Sequence, residues 1–340
     1  MIRSWIKTGA ADILWRTGMD KVVGALSGAR RLPLVIGYHR VVEDFASSAE
    51  TAIPSLLVSR RMLERQLDWI GRRYRFVDLN ELGARLTSGR AMQEPVAAIT
   101  FDDGYRDFYD HALPILRKKG IPAALFVVTD FIGTARAQIH DQLYSLLTKR
   151  EGRASAYQSM RKLIETQSAG ALEQTIHTLK ADDSTAQQDF ILPVTWEMLD
   201  RIHTAGIVIG SHTKTHIVMT NETPECVLDE TVASRQELER RLGTAVQHFA
   251  YPSGIYNSGS VSAVAAAGYR FGYTTCTHRS AEHPLLTVPR TLLWEGACLD
   301  SNRAFSESIM SCQVHRAFGL AARCRQQHST SSEKVGHATH

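Results

Sequence analysis

The sequence predicts an α/β fold in which buried parallel strands alternate with helices, as in a barrel or a doubly wound sheet. Short apolar runs of strand character occur at residues 32–39, 97–101, 122–128 and 207–209. These runs are typical of strands buried on both faces, because apolar residues follow one another without polar alternation. Segments with helical spacing separate them, and a length of 340 residues permits one large domain of this class.

Residues 1–31 are predicted to form an amphipathic helix. Apolar residues such as Trp5, Ile6 and Ile13 recur near helical spacing, with basic residues such as Arg16 between them. Two interpretations are open. The helix rests on a membrane surface that contains anionic lipid, or it packs on the outside of the domain.

The main domain is expected to comprise residues 32–300. Its first strand ends at His39, which either lines a site or is a hydrogen-bonded histidine at a strand end. Residues 44–57 are polar and are expected to form a loop. Ser59 then precedes an amphipathic helix, and residues 76–79 are expected to form a second strand.

The middle of this domain is predicted to carry a helical insertion. A helix that ends at Gly120 follows the apolar run at 97–101, and the strand at 122–128 comes next. Residues at about 135–190 then have a polar, helical pattern without any strand signal. We expect this insertion either to shape a substrate groove or only to cap the fold.

The last third returns to alternating helices and strands. A helix at 195–205 leads into the strand at 207–209, and Thr223 begins a helix that Gly243 ends. The further elements are expected to be strands at 246–252, 269–275 and 285–288 and a helix at 258–267. Residues 301–340 are expected to form a polar tail that is partly disordered.

Two polar clusters follow predicted strands, at the edge where parallel α/β folds keep their chemistry. Asp102 and Asp103 end one apolar run, and two buried carboxylates are costly unless a cation lies beside them. His212 and His216 follow a later strand, and a helical turn would project both the same way. One Asp with two His suits a divalent metal, zinc first, with open positions for water and substrate. The other Asp is then free to act as a base.

Three segments resemble the motifs of the polysaccharide deacetylases, which carry the NodB homology domain and are also called carbohydrate esterase family four. Thr-Phe-Asp-Asp-Gly at 100–104 and Ser-His-Thr-Lys-Thr-His at 211–216 are similar to the first two motifs. Phe-Ala-Tyr-Pro-Ser-Gly at 249–254 occupies the place of the third, and the likeness extends over about residues 34–295. The resemblance implies a single distorted (β/α) barrel of the NodB type with the helical insertion.

The resemblance also implies an activity, namely removal of N-acetyl groups from amino sugars of a bacterial-type surface polysaccharide or its oligosaccharide precursor. It assigns Asp103, His212 and His216 to the metal and makes Asp102 the general base. The alternative for Asp102 is that it only caps the following helix. The partner expected on these grounds is an N-acetylated oligo- or polysaccharide.

The third motif is expected to contact the substrate. The residues that the resemblance assigns there are Tyr251, Pro252, Ser253 and Gly254. The backbone N–H of Ser253 would help to hold the oxyanion of the tetrahedral intermediate. The aromatic rings of Tyr251, Tyr256 and Trp294 either stack on sugar rings or pack in the core.

Two departures from the family pattern resemble the exopolysaccharide-linked branch. The third motif of the family begins with an Arg that braces the base, and Ala250 stands in that place. Arg290 is expected either to take over this role, as a catalytic residue, or to be a surface arginine. The Leu-x-His motif that supplies the general acid is absent from the sequence, and His278 and His283 are nearby but unmatched.

Composition favours a protein that does not bind nucleic acid, because the formal net charge is only +4. Five cysteines without a CxxC pair indicate reduced thiols. Charged residues such as Asp12 and Lys21 interrupt any apolar core of a signal peptide, so we expect a cytoplasmic protein, peripheral to an inner membrane if the first helix binds lipid.

Two other functions are compatible with the residues. Two His and one carboxylate also hold iron(II) in oxygenases. A catalytically impaired glycan- or membrane-associated protein is the other alternative, suggested by Ala250 and the missing Leu-x-His motif.

Overall fold

The computed structural model describes residues 2–26, 33–90, 94–181 and 192–318. The strands in these ranges are β1 (Leu34–Tyr38), β2 (Arg40–Val42), β3 (Leu57–Ser59), β4 (Arg75–Phe76), β5 (Val96–Phe101), β6 (Ala123–Val127), β7 (Val208–Ser211), β8 (His248–Ala250), β9 (Phe271–Thr274), β10 (Val288–Pro289) and β11 (Thr291–Leu292). The α-helices are α1 (Ile2–Arg16), α2 (Met19–Leu26), α3 (Phe45–Thr51), α4 (Arg60–Gly71), α5 (Leu79–Ser88), α6 (Leu113–Lys119), α7 (Ile139–Glu151), α8 (Arg153–Thr166), α9 (Ala169–Ala181), α10 (Trp196–Thr204), α11 (Pro224–Leu242), α12 (Ser258–Ala266) and α13 (Glu307–Val314).

One parallel sheet organises the described part of the chain, in the order β10-β9-β8-β7-β6-β5-β1-β11, with β4 beside β5. Only Arg290 separates β10 from β11, although β10 pairs with β9 and β11 pairs with β1. The two short strands therefore join the two ends of the sheet. The expected distorted (β/α) barrel is confirmed, and its distortion lies where the closing strand is broken at Arg290.

Alternation along the strands gives the barrel an interior and an exterior. One set of strand residues packs in a small cluster that we assign to the interior, namely Val35, Ala98, Ala124, Phe126, Ala250, Tyr273 and Val288. Their neighbours pack in the larger cluster that includes helix residues, namely Ile36, Ile99, Leu125, Val127, Ile209 and Phe249. Because both faces are buried, the strands are continuous apolar runs, which is the pattern that predicts them.

The insertion expected at about 135–190 contains α7, α8 and α9, and its last residues lie outside the described ranges. These helices have their own apolar cluster, in which Leu143, Met160 and Leu172 are buried. The insertion is therefore a packed unit with a core that is separate from the barrel core.

Residues 44–57 do not form the expected loop. They contain α3 and a 3-10 turn and lead into β3, which pairs with β2. Asp44 begins α3, because its side chain accepts hydrogen bonds from the N–H groups of Ala46 and Ser47. The helix buries none of its residues, so it lacks the apolar periodicity by which helices are predicted.

The terminal segments pack against each other. The helix expected at 1–31 is two helices, α1 and α2, and the tail expected at 301–340 contains α13, on which Ile309 and Cys312 are buried against Ala11 of α1. Residues 27–31 and 319–340 lie outside the described ranges, and the predicted disorder of the tail concerns the second of these segments. No helix of the described chain has both the length and the apolar composition that a membrane crossing requires.

Candidate metal centre and active site

The two carboxylates lie where β5 ends and the chain turns. The backbone N–H of Asp102 donates to the carbonyl of Tyr38 at 2.9 Å, which continues the sheet by one residue. Asp103 and Gly104 then have φ angles of 72° and 70°. This left-handed turn directs both carboxylates towards one cavity, and a regular strand would have placed them on opposite faces. A Cβ at Gly104 would also approach Val127 to 3.0 Å.

The histidines lie on the loop that follows β7, and the expectation of a helical turn is wrong. Thr213 and His216 both have φ of 66°, which is incompatible with a helix. The carboxylate of Glu230 on α11 holds the loop instead. Its oxygens accept hydrogen bonds from the N–H groups of Lys214 and Thr215, at 2.9 and 2.8 Å, and from the Thr215 hydroxyl at 2.7 Å. Burial raises the pKa of Glu230, although the bonds from Thr215 oppose this shift.

The structure brings Asp103, His212 and His216 together, with one ligand atom from each within 4.8 Å of the others. The Nε2 atoms of His212 and His216 lie 3.4 and 3.1 Å from Asp103 Oδ1. This oxygen is buried, and none of the described residues gives it a hydrogen bond of acceptable geometry. Burial raises the pKa of Asp103, but the two imidazoles outweigh it, so the pKa stays well below the usual value.

The orientation of His212 is fixed from its other side. Its Nδ1 atom lies 2.7 Å from the carbonyl oxygen of Ala250, so Nδ1–H donates there and Nε2 carries the free lone pair. The result is an ionised carboxylate oxygen close to Nε2 of both histidines, and the neutral ring of His212 is in the tautomer that binds a metal through Nε2. These residues fit a divalent metal ion.

Asp102 forms a buried, bidentate ion pair with Arg290. The two guanidinium nitrogens donate to the two carboxylate oxygens at 2.6 and 2.7 Å, and Nη1 also donates to Thr100 Oγ1 at 3.2 Å. The side chains of Arg290 and Asp102 are 1% and 3% exposed. The alternatives of a surface arginine and of a helix-capping Asp102 are therefore wrong. Burial raises the pKa of Asp102, but Arg290 and then His212 outweigh it and leave the pKa below its usual value.

The third motif forms a tight turn, Pro252–Gly254, in which Ser253 and Gly254 have φ angles of 58° and 67°. Ser253 and Gly254 line the cavity, whereas Pro252 is buried and is not part of the lining. A Cβ at Gly254 would collide with Thr275. The motif therefore presents the backbone and side chain of Ser253, and Pro252 shapes the turn without facing the cavity.

Of the two alternatives for Tyr251 and Tyr256, the structure shows core packing, so the expected substrate contact of the Tyr251 ring is not found. Both rings are buried in the large core cluster, with centroids 5.5 Å apart, and Phe249 packs edge-on to Tyr251 at 5.2 Å. Burial raises the pKa of Tyr251. Trp294 is the member of this aromatic set that lines the cavity.

The cavity that holds these groups has a volume of about 390 Å³. The insertion supplies much of its apolar wall, with Ile139, Met160 and Leu172, so it shapes the groove as well as capping the fold. His39 also lines the cavity, and burial lowers its pKa. His278 and His283, considered because the Leu-x-His motif is missing, are absent from its lining.

A second buried cluster adjoins the metal ligands and was not found by sequence reasoning. The Tyr105 hydroxyl donates to Asp141 at 2.6 Å and therefore accepts from Nε2–H of His140, at 2.7 Å. His140 Nε2 also lies 3.8 Å from Asp103 Oδ2, and burial lowers the pKa of His140. The available signal was a His-Asp pair at the start of a helix in the insertion, together with Gln138, whose amide donates to the Asp103 carbonyl at 3.2 Å.

Comparisons with known proteins agree with this geometry. The sequence profile of the polysaccharide deacetylase family matches residues 89–272, just over half of the chain. The Bacillus subtilis protein YxkH, which is assigned to the polysaccharide deacetylases, is 24% identical over 222 residues, 65% of this chain and 60% of that protein. The poly-β-1,6-N-acetyl-D-glucosamine N-deacetylase of Staphylococcus aureus (strain N315) is 23% identical over 251 residues, 71% of either chain.

Among solved structures, the Streptococcus pyogenes deacetylase PplD, determined in complex with acetate, has a similar fold. The TM-score is 0.54 at 21% identity, and the match covers 78% of this chain and 93% of that one. At this level of identity the likeness supports the fold.

Proposed function

Because the chain belongs to the polysaccharide deacetylase family of carbon–nitrogen hydrolases, we propose that it removes N-acetyl groups from an exopolysaccharide-type substrate. The observation that carries the proposal is the pairing of two units in one cavity. Asp103, His212 and His216 form a ligand set with an unsatisfied carboxylate oxygen. Asp102 lies beside them as a buried carboxylate that Arg290 keeps ionised.

We assign the three ligands to a divalent metal, with zinc as the first choice because imidazole and carboxylate suit it. Such an ion supplies a bound water of lowered pKa and polarises the substrate carbonyl. Asp102 accepts the proton that the attacking water loses and is placed to return it to the leaving nitrogen. Water adds to the acetyl carbon to give a tetrahedral intermediate, whose C–N bond then breaks as the nitrogen is protonated, which yields acetate and a free amine.

The turn at Ser253 supports the same reaction. Its backbone N–H is the group that the third motif offers to the developing oxyanion, and such a contact contributes about 3 kcal/mol to lowering the barrier. Arg290 acts through Asp102, because both of its terminal nitrogens are committed to that carboxylate. It orients the base and keeps it unprotonated.

The substrate we propose is an N-acetylated amino sugar of a surface polysaccharide or its oligosaccharide precursor. The Staphylococcus aureus relatives are named for a polymer of this kind, which supports the class. Trp294 offers an aromatic face in the cavity, and aromatic rings stack well on the apolar faces of sugars.

The two alternative functions are less well supported. An iron oxygenase has no use for a carboxylate that Arg290 holds ionised beside the ligands, and the family hydrolyses C–N bonds. A protein that only binds glycan has no need of the aligned Asp102, and the Arg missing at Ala250 is replaced by Arg290.

The test compares metal-stripped protein with protein reloaded with zinc, using N-acetylglucosamine oligomers and measuring released acetate and bound zinc. We expect Asp102→Asn to keep its zinc and to lose activity about 10²- to 10⁴-fold. His212→Ala should lose both zinc and activity. Asp110→Asn, which alters an exposed carboxylate outside the cavity, is the matched control and should match wild type. Full activity of Asp102→Asn, or of stripped protein, would contradict the proposal.

A further inference from the structure

The outward face of α1 is apolar. Trp5, Ile6 and Ile13 are 62%, 65% and 66% exposed. With 3.6 residues per turn, these three side chains lie within an arc of about 100°. Gly9, in the same arc, contributes no side chain that would separate them. The three residues, called the outer stripe below, therefore lie exposed on one face of α1.

Three polar residues of α1, namely Lys7, Thr8 and Asp12, face the domain instead. Ala11 and Leu14 pack against α13, and polar contacts surround them. The contacts are Lys7 Nζ to the Ala297 carbonyl at 3.3 Å, the Ser301 N–H to Thr8 Oγ1 at 3.0 Å, and Ser308 Oγ to Asp12 Oδ1 at 2.5 Å. A helix that only covers a domain turns its apolar face inwards and its charges outwards. On α1 the outer stripe is apolar while the charged Lys7 and Asp12 face inwards, so the stripe is available for a second apolar surface.

The acidic and basic residues of α1 and α2 differ in where they lie. Asp20 of α2 is buried, and its carboxylate accepts hydrogen bonds from Ser311 at 2.5 Å and from His315 at 3.2 Å. With Asp12 bonded to Ser308, both acidic residues of the pair face the domain. Arg16 and Lys21 are exposed, so the exposed ionic groups described on these two helices are both positive.

We propose that α1 and α2 dock the protein on the surface of a bilayer that contains anionic lipid. Tryptophan and aliphatic side chains are the residues that enter the interface between headgroups and acyl chains, and Trp5, Ile6 and Ile13 supply both kinds. Arg16 and Lys21 complement the negative charge of the headgroups. The two helices lie along the surface, since neither is long enough to cross it.

This docking surface is connected to the cavity by one short segment. Trp294 lines the cavity, and the carbonyl of Ala297, three residues later, accepts the hydrogen bond from Lys7. A protein held to the membrane by α1 therefore keeps the wall of its cavity close to the attachment point. The inference does not depend on the proposed reaction.

The test is flotation of the full chain with phosphatidylcholine vesicles that contain about one third phosphatidylglycerol, against vesicles of phosphatidylcholine alone. We expect binding to the anionic vesicles and much weaker binding to the neutral ones. The double variant Ile6→Ser/Ile13→Ser should lower the partition coefficient about tenfold for each residue. Neutralising Arg16 and Lys21 with Gln should lower it about fivefold for each.

Leu228→Ser is the matched control, because Leu228 is 42% exposed on α11 and belongs to no part of the outer stripe. It should bind vesicles like wild type. The Ile6→Ser/Ile13→Ser variant should keep its melting temperature and its acetate release from soluble oligomers, which separates this proposal from the proposed function. Failure of the wild type to float with anionic vesicles would overturn the proposal. So would equal flotation of the double variant, or light scattering that shows the stripe joining two copies of the chain.

Discussion

Replacing Arg290 by Met tests how the candidate base is held. Methionine fills much of the space of the arginine stem but removes the charge and both hydrogen bonds to Asp102. The carboxylate then remains buried without a partner. Breaking a buried ion pair in this way costs about 3–5 kcal/mol. No allowance for solvent screening is needed, since the side chains are 1% and 3% exposed.

The loss of folding stability caused by Arg290→Met should increase as the pH rises. In the wild type the folded-state pKa of Asp102 is lowered, so its contribution to stability is present above the unfolded-state pKa of about 3.9 and is lost at lower pH. Arg290→Met removes the largest influence that opposes burial, so we expect the folded-state pKa of Asp102 to rise above its usual value. Stability of the variant should then fall as the pH rises above about 3.9, so the gap to wild type widens towards neutral pH.

The measurement is urea unfolding of both proteins at an acidic and a neutral pH, with acetate release across the same range. The activity of Arg290→Met should need a higher pH than that of wild type, because the base must lose its proton. Arg290→Lys keeps the charge but lacks the planar fork that makes two parallel hydrogen bonds, so it should lose about 1–2 kcal/mol and keep the wild-type direction of the pH dependence. Equal unfolding free energies and superimposable pH profiles for wild type and Arg290→Met would refute the reasoning.

Three further outcomes follow from the same structure. Glu230→Gln replaces one acceptor of the histidine loop by a donor, so we expect a 10- to 100-fold loss of zinc affinity in a chelator competition, and unchanged affinity would remove Glu230 from the support of the loop. Burial lowers the pKa of His248 to about 3, so the folded state opposes its protonation, and wild type should lose about 1.4 kcal/mol more than His248→Gln between about pH 7.5 and about pH 5.5 in urea unfolding. A matching loss in both proteins would show that this imidazole does not titrate on unfolding. Trp294→Ala should raise KM for oligomers about tenfold with little change in kcat, and a loss confined to kcat would argue against a sugar-stacking role.

Local signals account for the parts of the fold that were predicted. The helix α11 begins where Thr223 caps it, with its hydroxyl accepting from the Cys226 N–H, and ends at Gly243 with φ of 65°. Both signals lie within a few residues of the boundary that they mark. The short helix α3 was missed because it packs no apolar face, and apolar periodicity is the signal by which helices are recognised.

The site was predictable only as far as its motifs extend. Adjacent residues such as Asp102 and Asp103, or a pair such as His212 and His216, carry a spacing that chemistry can interpret. The hydrogen bond between Tyr105 and His140, and those from the histidine loop to Glu230, each join different elements of the fold. No local sequence pattern specifies which of many polar residues will form such hydrogen bonds. Their positions follow from packing, which the sequence expresses only through the whole fold.

Arg290 shows why a substitution inside a motif need not remove its function. In the family pattern the brace comes from the strand that here ends at Ala250, whose small side chain lies in the barrel interior and whose carbonyl orients His212. The guanidinium arrives instead from the junction of β10 and β11, 188 residues from Asp102 along the chain. The junction can supply it because Val288 lies in the barrel interior, and strand alternation places Arg290, two residues later, on the same side. Closure of the barrel and support of the base therefore depend on one residue, and a change there should disturb stability and activity together.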